Sequence, residues 1–296
     1  MHYLITGGTG FIGRSLCREL LRRGQVTVLT RSRAKATKIL RPEVGTIESL
    51  DELQGLPPDA VINLAGTSLA DSRWSPARKR EIRRSRVNFT RALVDWLEHS
   101  KERPKVMVSA SAVGWYGARG DEELTEASAA GDEFQAELCQ AWETASMRAS
   151  ELGIRVCCAR SGVVLGREGG MLSRLLPAFR LGLGGRFGSG KQWMSWIHLD
   201  DLTSLIQWML ARPAASGAYN AASPIPVTNA EFVRTLGAVL HRPARLHVPA
   251  VALQLALGEM SRLLLTGQKV LPARLLEANF VFRHPELRGA FEHLLT

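Results

Sequence analysis

The sequence lacks the features that mark membrane, secreted and disulfide-rich proteins. Its 296 residues contain no apolar run near the roughly 20 residues that a membrane-spanning helix needs. The first residues, Met1-His2-Tyr3, lack the basic start of a signal peptide. The four cysteines show no metal-binding spacing: Cys17, Cys139, Cys157 and Cys158. We therefore expect a cytoplasmic globular protein with reduced cysteines, no metal and no membrane partner.

Negative charge is the scarcer sign, and the excess of positive charge is concentrated in one segment. The net charge is +10, and six basic residues crowd a single stretch: Arg78, Lys79, Arg80, Arg83, Arg84 and Arg86. Nucleic-acid binding is one interpretation of such a segment. However, no aromatic residues alternate with these cations, and no nucleic-acid-binding motif accompanies them. A solvated helix face, or a basic approach toward an anionic cofactor, is the better interpretation, and we expect no nucleic-acid partner.

The first thirty residues contain the most informative motif of the chain. An apolar stretch leads into Gly7-Gly8-Thr9-Gly10-Phe11-Ile12-Gly13, which is followed by an amphipathic stretch and a second apolar one. Gly7 permits a sharp turn, Gly10 allows the backbone to approach a pyrophosphate, and Gly13 allows close helix–strand packing. The free N–H groups of the following helix add a site for phosphate. The motif predicts an α/β, Rossmann-type fold with a doubly wound parallel sheet.

The residues after the second apolar stretch indicate which dinucleotide is bound. Thr30-Arg31-Ser32-Arg33 stands where a fold that prefers NAD usually places an acidic residue for the ribose hydroxyls. Two arginines and two hydroxyls instead favour the 2′-phosphate of NADP. Arg31 is the residue that we expect to contact this phosphate. The alternative is that Arg31 and Arg33 are ordinary surface charges.

Two further apolar stretches are typical of buried parallel strands. Residues 60–66 end in Leu64-Ala65-Gly66, whose small side chains let the backbone pass close to a ligand. Residues 105–111 end at Ser111 and lead into a loop. Both ends should therefore lie beside the cofactor.

The second half of the chain has a different composition. Residues 167–195 are rich in glycine, which predicts a long, mobile segment that covers the substrate. We expect an NADP-binding Rossmann domain over residues 1–166 and a substrate-covering region, partly interleaved with the sheet, over 167–245. A C-terminal helical region should follow over 246–296. The apolar stretch 250–265 is expected to be core, or the contact face of a possible homodimer.

These motifs together resemble the extended short-chain dehydrogenase/reductases of the nucleotide-sugar epimerase type. The segments that carry the resemblance are Thr6–Gly13, Asn63–Gly66, Ser111 with Tyr116-Gly117, Gly131–Phe134, Cys139–Glu143, Arg160–Gly166, Gly182–Gly185, Trp196–Leu202 and Gly267–Pro272. As a set they are similar to an atypical branch, the "epimerase family proteins", which has a short C-terminal helical region. The resemblance covers essentially residues 1–295.

The resemblance implies a Rossmann-type fold that holds NADPH. It also implies which residues line the cofactor: Gly7, Thr9, Gly10, Phe11, Ile12, Gly13, Thr30, Arg31, Leu64, Ala65, Gly66, Glu81, Arg86 and Val164. Within the basic segment, Glu81 and Arg86 would then face the cofactor. Arg78, Lys79, Arg83 and Arg84 would remain on the solvent side.

The usual catalytic pair of this superfamily is absent. The pair is a tyrosine that acts as acid–base group and a lysine four residues later, with a serine that polarises the substrate carbonyl. The chain has three tyrosines, Tyr3, Tyr116 and Tyr219, and four residues after them stand Gly7, Gly120 and Ser223. Only the serine has a counterpart, Ser111.

Ser111 and Tyr116 are the residues that we expect to carry any catalysis. Tyr116 lies five residues beyond Ser111, on the cofactor side of the sheet, although a structural role is the alternative for Tyr116 and a strand-end hydroxyl for Ser111. His198 is expected to be a packed, hydrogen-bonded residue rather than a base. Asp200 is expected to cap the following helix. Glu143 lies within a helix and faces either solvent or the site.

The sequence therefore leaves two functions open. The first is an NADP(H)-dependent oxidoreductase or epimerase that acts on a small molecule through a non-standard catalytic site. The second is a non-catalytic NADP(H)-binding redox sensor or scaffold, which the missing Tyr–Lys pair favours. Lys191, Trp193, Met194 and Trp196 would give the covering segment a cationic and aromatic lining, which suits an aromatic or anionic substrate.

Overall fold

The computed structural model of the chain describes residues 1–53 and 56–295. The strands are β1 (His2–Thr6), β2 (Gln25–Leu29), β3 (Gly45–Ile47), β4 (Ala60–Asn63), β5 (Val106–Ala112), β6 (Glu123–Leu124), β7 (Arg155–Ser161), β8 (Val163–Gly166), β9 (Gly185–Phe187), β10 (Trp193–Met194), β11 (Trp196–His198), β12 (Gly217–Ala221), β13 (Val227–Thr228), β14 (Leu246–Val248) and β15 (Lys269–Val270). The α-helices are α1 (Phe11–Leu20), α2 (Arg33–Ile39), α3 (Pro76–Arg83), α4 (Phe89–His99), α5 (Phe134–Met147), α6 (Gly170–Arg180), α7 (Leu199–Ala211), α8 (Asn229–Val239), α9 (Ala250–Leu257), α10 (Arg262–Leu265), α11 (Ala273–Glu277) and α12 (Leu287–Leu295).

Seven strands form one parallel sheet in the order β12-β7-β5-β4-β1-β2-β3. The order reverses between β1 and β4, which is where such folds bind ligands. In register, Thr6 lies beside Asn63, and Asn63 lies beside Ser109. Ser111 of β5 lies beside Arg160 of β7. The predicted α/β fold with a doubly wound parallel sheet is confirmed, and the carboxyl ends of its central strands meet along one edge.

Neighbouring residues of β1 divide the core between the two faces of the sheet. Side chains alternate along a strand, so a central strand that is buried on both faces reads as continuously apolar. Ile5 packs in the core under α1 and α7 with Leu16 and Leu205. Leu4 packs in the core under α4 with Leu93. Helices therefore cover both faces and leave the carboxyl edge free for a site.

The basic segment forms one long helical stretch with an irregular turn in it. The Ser75 hydroxyl accepts a hydrogen bond from the N–H of Arg78 and caps α3, and Pro76 occupies the first turn. Residues Arg84–Asn88 form a π-helical turn that joins α3 to α4. Such turns often occur at functional sites. Arg86 lies within this turn.

The glycine-rich segment is more regular than we predicted. Residues Gly170–Arg180 form α6, which buries Leu172, Leu176 and Phe179. This part of the segment is therefore a regular helix, with glycines at its start and after its end, and its mobility and its role as a substrate cover stay predictions. In the C-terminal region, α12 packs on α8 through Phe291, whose ring centroid lies 5.1 Å from that of Phe232.

Within the described part of the chain, none of the helices has the length and apolar character needed to cross a membrane.

Candidate functional site

The glycine turn between β1 and α1 has the geometry that its motif predicts. Gly7 has φ of 70°, and a Cβ atom added to it would lie 2.5 Å from the carbonyl oxygen of Leu64. A Cβ atom on Gly13 would lie 2.4 Å from the carbonyl oxygen of Gly7. Gly10 caps α1 without a side-chain hydrogen bond. The N–H groups of the first turn of α1 are therefore available to an anion.

The two arginines after β2 differ in how the protein holds them. The Arg33 guanidinium pairs with Glu52, and the Arg33 N–H donates to the Glu48 carboxylate at 2.7 Å. Arg31 is exposed and makes no side-chain hydrogen bond or ion pair with residues 1–53 or 56–295. Thr30 is half-buried at the end of β2. Of the two guanidinium groups, that of Arg31 is the one left available to a ligand.

A buried polar network fixes the ends of β1 and β4 against each other. The Asn63 side-chain oxygen accepts a hydrogen bond from the Thr6 hydroxyl at 2.7 Å, and its amide donates to the Thr90 hydroxyl at 2.7 Å. The Trp142 indole N–H donates to the same Thr90 hydroxyl at 3.1 Å. Buried polar groups need such partners. The network sets the path of Leu64, from which the loop begins.

Arg86 lies directly beneath the loop that follows β4. Its guanidinium carbon would be 2.9 Å from a Cβ atom added to Gly66, and it donates to the Thr67 carbonyl at 2.8 Å. It also lies 5.4 Å from the centroid of the Trp142 ring. Among the described residues, Arg86 forms no ion pair with a carboxylate. Burial lowers the pKa of Arg86 to about 10. The described residues thus give this positive charge no counter-ion, and an anionic ligand would supply one.

Arginines from three elements hold the rest of this loop. They donate to successive backbone carbonyls: Arg86 to Thr67, Arg78 to Ser68 and Arg174 to Ala70. Two residues of the basic segment, Arg78 and Arg86, therefore hold this loop in place.

Two residues of the basic segment, Arg78 and Lys79, are less exposed than we expected. The Glu81 side chain is 54% exposed and pairs at 2.7 Å with Arg78, whose own side chain is only 14% exposed. Lys79 pairs with Glu259 of the C-terminal region at 2.6 Å. The prediction that Arg78 and Lys79 face only solvent is therefore wrong. Arg83 and the following arginine are exposed, as expected.

Ser111 belongs to a buried charged cluster. Its hydroxyl donates to the Glu143 carboxylate at 2.6 Å. Arg160 donates to both oxygens of that carboxylate, at 2.8 and 2.9 Å. Burial works to lower the pKa of Arg160, but the hydrogen bonds and charge of Glu143 outweigh it and raise the pKa above its ordinary value. The Ser111 hydroxyl donates its one proton to the carboxylate, so toward any further partner its buried oxygen acts as an acceptor, and the Cys139 thiol lies within hydrogen-bond reach of it.

The structure places Tyr116 in the same cluster, with no exposed surface. Its hydroxyl donates to the Asn220 side-chain oxygen at 2.6 Å and accepts from Arg160 at 3.0 Å. Burial raises the pKa of Tyr116. A catalytic tyrosine of this superfamily needs a lowered pKa and access to the substrate. The geometry therefore favours the structural role that we gave as the alternative for Tyr116.

The importance of Glu143 and Arg160 was not apparent from the sequence. An arginine inside an otherwise apolar strand was the available signal, because a buried charge requires a partner. Cys139 lies one helical turn before Glu143, and burial, reinforced by the charge of Glu143, raises the pKa of its thiol to about 12. The thiol therefore stays protonated beside Ser111.

The loop after β8 packs against the ring of Phe11. A Cβ atom added to Gly166 or Gly169 would lie 2.5 or 2.7 Å from the Phe11 ring. A Cβ atom added to Gly170 would lie 3.1 Å from the same ring and 3.0 Å from the carbonyl oxygen of Val164, which is half-buried. Gly170 therefore lies between these two predicted cofactor residues.

A histidine cluster lies where the C-terminal region meets α7. His198, not Asp200, caps this helix, because its Nδ1 accepts the Asp200 N–H at 3.0 Å; the prediction for Asp200 was wrong. His198 Nε2 lies 3.1 Å from Nδ1 of His293, and the His284 ring centroid is 4.0 Å from that of His198. Four possible metal-ligand atoms of these residues lie within 4.8 Å. Both nitrogens of His198 already have hydrogen-bond partners.

Comparison with known proteins relates the whole chain to one group. Residues 3–222 match the NAD-dependent epimerase/dehydratase family, and residues 248–294 match a domain of unknown function, DUF1731. The chain is 41% identical to the chloroplastic homolog of epimerase family protein SDR39U1 from Arabidopsis thaliana, with 98% of this chain and 86% of that protein covered.

Two solved structures are also similar over the full chain. The crystal structure of human epimerase family protein SDR39U1 (isoform 2) with NADPH has 35% identity and a TM-score of 0.89, with 99% of each chain covered. A structure of the nucleoside-diphosphate sugar epimerase from Corynebacterium glutamicum has 34% identity and a TM-score of 0.79. It matches 100% of this chain but only 58% of that one.

Proposed function

The chain belongs to the NAD-dependent epimerase/dehydratase family, and from this premise we propose that it binds NADP(H) along the carboxyl edge of its sheet and acts on a small molecule as an oxidoreductase or epimerase. The observation that carries the proposal is the combination of an uncapped α1 with the cation of Arg86, which has no acidic partner among the described residues. A dinucleotide supplies anionic groups to both. The human relative with NADPH supports the choice of this cofactor.

The residues present fit the parts of the cofactor. The Gly7–Gly13 turn would hold the pyrophosphate through backbone N–H groups, and Arg31 would pair with the 2′-phosphate. Leu64–Gly66 would pass along the cofactor with Arg86 behind them. Val164 would contact its far end. Glu81, which is exposed and paired with Arg78, would act through Arg78 or after a rotamer change.

The bound cofactor would supply or accept a hydride. The chain's own contribution to chemistry is Ser111, which Glu143 and Arg160 hold in one orientation. Because the Ser111 proton is committed to Glu143, its oxygen is suited to accept a hydrogen bond from a substrate hydroxyl. Tyr116 would support this arrangement by holding Arg160 in place.

A non-catalytic sensor or scaffold is the second candidate function. Two observations favour it: the buried hydroxyl of Tyr116 already has two partners, and burial raises its pKa. A protein of this kind would keep the cofactor site and show no turnover. Cofactor binding is common to both functions, so turnover with substrate distinguishes them.

The experiment is a titration of NADPH and NADH against the purified protein, followed by fluorescence. Arg31→Ala should weaken NADPH binding by roughly 10- to 100-fold, which is the value of a charge-assisted contact, and change NADH binding little. Arg33→Ala is the matched control, because Glu52 already holds Arg33; it should change the NADPH/NADH ratio by less than about threefold.

Equal losses for both nucleotides in Arg31→Ala would contradict the 2′-phosphate assignment. Wild-type protein that binds neither nucleotide would refute the proposed function in both of its forms. NADPH binding without turnover across a broad panel of carbonyl and sugar-nucleotide compounds would favour the sensor.

A further inference from the structure

A small cavity lies beside the chain neighbours of two residues of the proposed site, Ser111 and Val164, although neither of these two residues lines it. It encloses about 70 Å³ between the end of the sheet and the C-terminal region. Val113 lines it on the sheet side, two residues beyond Ser111. Val163 lines it next to Val164, a predicted cofactor contact, and Leu264 closes it from the C-terminal region. The chemistry of this cavity therefore bears on what the protein accepts.

The walls of the cavity are mainly apolar, and their largest side chains include Phe187, Trp193, Met194, Leu263 and Leu264. Within residues 1–53 and 56–295, no Asp, Glu, Lys, Arg or His contributes to its lining. Transfer of a phosphate or carboxylate into such surroundings without a charge partner costs several kcal/mol. The cavity therefore selects against anions.

Several of the polar groups around the cavity are already used by the protein. The Ser195 hydroxyl donates to the Gln268 carbonyl at 2.7 Å and accepts the Val270 N–H at 2.9 Å. The Asn229 side-chain oxygen accepts the Phe187 N–H at 2.9 Å. These groups hold the C-terminal region and the covering segment in place. The Gln192 amide likewise donates to the carbonyls of Phe187 and Leu264, so within the described lining the Gln268 side chain is the main polar group left for the hydroxyls of a sugar.

A cation beside the cavity, Lys269, is neutralised by a carboxylate. The Lys269 ammonium lies 4.8 Å from the centroid of the Trp193 ring and pairs with Glu123 at 2.8 Å. The Trp193 indole N–H donates to the Asp121 carboxylate at 2.6 Å. Two carboxylates, those of Glu123 and Asp121, therefore lie close to this ammonium and to Trp193. The Lys269 ammonium is thus already paired and is not free to bind a diphosphate.

From these observations we infer that the substrate is a compact, uncharged carbonyl compound with an aryl or alicyclic ring, or the corresponding alcohol, and not a nucleotide-diphosphate sugar. This inference rests on the proposed function. In the reductive direction, a hydride adds to the carbonyl carbon as the C=O π bond breaks, and the oxygen takes a proton from water. NADPH is oxidised to NADP⁺ and the carbonyl is reduced to an alcohol.

The inference corrects part of our expectation from the sequence. Trp196 is fully buried in the core and Lys191 is exposed away from the lining, so neither shapes the cavity. Trp193 and Met194 do line it. The aromatic half of the expected lining is therefore present at this cavity, and the cationic half is absent from its described lining.

Binding of uncharged and charged probes to the NADP⁺-saturated protein tests this inference. Calorimetric titrations would use acetophenone, benzaldehyde and cyclohexanone on one side and UDP-glucose and UDP-glucuronic acid on the other. We expect at least one uncharged probe to bind tenfold or more tightly than either UDP-sugar. Met171, in the first turn of α6, also lines the cavity. Met171→Trp would fill the cavity, and it should weaken that binding at least tenfold and leave NADP⁺ affinity unchanged.

Two further variants keep the test decisive. Leu181→Trp is the matched control, because Leu181 follows the same helix but is 75% exposed; it should bind every probe like the wild type. Leu264→Lys places a cation in the wall of the cavity. It should weaken the uncharged probes, and it would strengthen UDP-glucuronic acid only if nucleotides enter this cavity.

The outcomes separate the inference from the function on which it rests. Wild-type protein that binds no NADP⁺ would refute the proposed function. Protein that binds NADP⁺ but binds a UDP-sugar more tightly than every uncharged probe, or binds none of the uncharged probes, would overturn the substrate class alone. A full-strength probe site in Met171→Trp would show that the probe binds elsewhere, and would overturn it as well.

Discussion

Arg86, beneath the loop after β4, and Arg160, at the end of β7, lie at the same edge of the sheet but in opposite electrostatic settings. Arg160 is buried and donates to both oxygens of Glu143. Arg86 is partly buried and donates to neutral oxygens. Accordingly, the pKa of Arg160 is raised by its partner, whereas the pKa of Arg86 is lowered by burial.

The two arginines differ in their counter-ions: Arg160 has one in Glu143, whereas the described residues give Arg86 none. A buried charge with a hydrogen-bonded counter-ion belongs to the fold, and removal of either partner is costly. A charge that the protein leaves unpaired is destabilising until a ligand arrives. The ion pair of Arg160 with Glu143 therefore stabilises the site, and the guanidinium of Arg86 is available to bind an anion.

Glu143→Gln should have the largest effect. It keeps the shape of the side chain but leaves Arg160 buried without a counter-ion, so the free energy of unfolding should fall by about 3–5 kcal/mol. Denaturant unfolding measures the change. The matched control is Glu122→Gln. Glu122 makes the same two-point contact with Arg119, but these side chains are 48% and 34% exposed, respectively. It should cost less than about 1 kcal/mol.

His198 is another buried basic group whose pKa is shifted by its surroundings, and it should make the protein sensitive to acid. Burial and the charges of His284 and His293 lower its pKa from 6.5 to about 4. The unfolded chain therefore takes up the proton first, and the free energy of unfolding should fall as the pH drops from about 6.5 to 4, by roughly 3 kcal/mol in total. His198→Asn should remove this slope, which unfolding curves across the range would reveal.

The control for this acid effect is His99→Gln, since the His99 side chain is exposed and bonds only to the Asp95 carbonyl. Its pH profile should match that of the wild type. An unchanged slope in His198→Asn would show that other groups are responsible.

Tyr116→Phe should destabilise the protein by about 1–3 kcal/mol, because Asn220 and Arg160 each lose a buried hydrogen-bond partner. Tyr3→Phe is the control, since the Tyr3 hydroxyl bonds only weakly to the Met1 sulfur, at 3.5 Å. Once a substrate is known, turnover should fall no further than the loss of folded protein explains. A much larger loss of turnover in fully folded Tyr116→Phe would restore its catalytic role.

Arg86→Met should have the smallest effect on the cofactor-free protein. Because it removes an unpaired cation and keeps most of the packing, the free energy of unfolding should change by less than about 1 kcal/mol, and in the stabilising direction. Arg160→Met should instead lower the free energy of unfolding by several kcal/mol. Equal losses in the two variants, measured by thermal unfolding without nucleotide, would contradict the distinction between the two arginines.

The sequence predicted those parts of the site that depend on local backbone rules. Gly7 and Gly13 are needed wherever a strand turns tightly into a helix, so their geometry follows from the motif alone. The continuous apolar stretches likewise predicted buried parallel strands. Composition was less informative around α6, where the glycine content predicted a long, mobile cover and did not indicate the helix. Composition does not show that these glycines stand at the ends of a helix.

The Arg160 cluster could not be predicted from local sequence rules, because it depends on how α5 packs against β7. Glu143 and Arg160 are 17 residues apart and meet only in the folded protein. The sequence also could not show that Arg86 has no acidic partner among the described residues. Glu81 is only five residues from Arg86 in the sequence, but in the structure it pairs with Arg78. The choice of His198 over Asp200 as cap depends on backbone direction, since both side chains can accept the N–H.

The π-helical turn at Arg84–Asn88 acts as a phase shift within one long helix. Each residue advances an α-helix by about 100°, so the wider turn lets Arg86 face the loop after β4 while α4 still turns Leu93 and Leu97 toward the sheet. Loss of one residue from this turn would rotate α4 and bring Asp95, now exposed, toward the core. Length variation among relatives should therefore avoid this turn, even though its side chains lie partly at the surface.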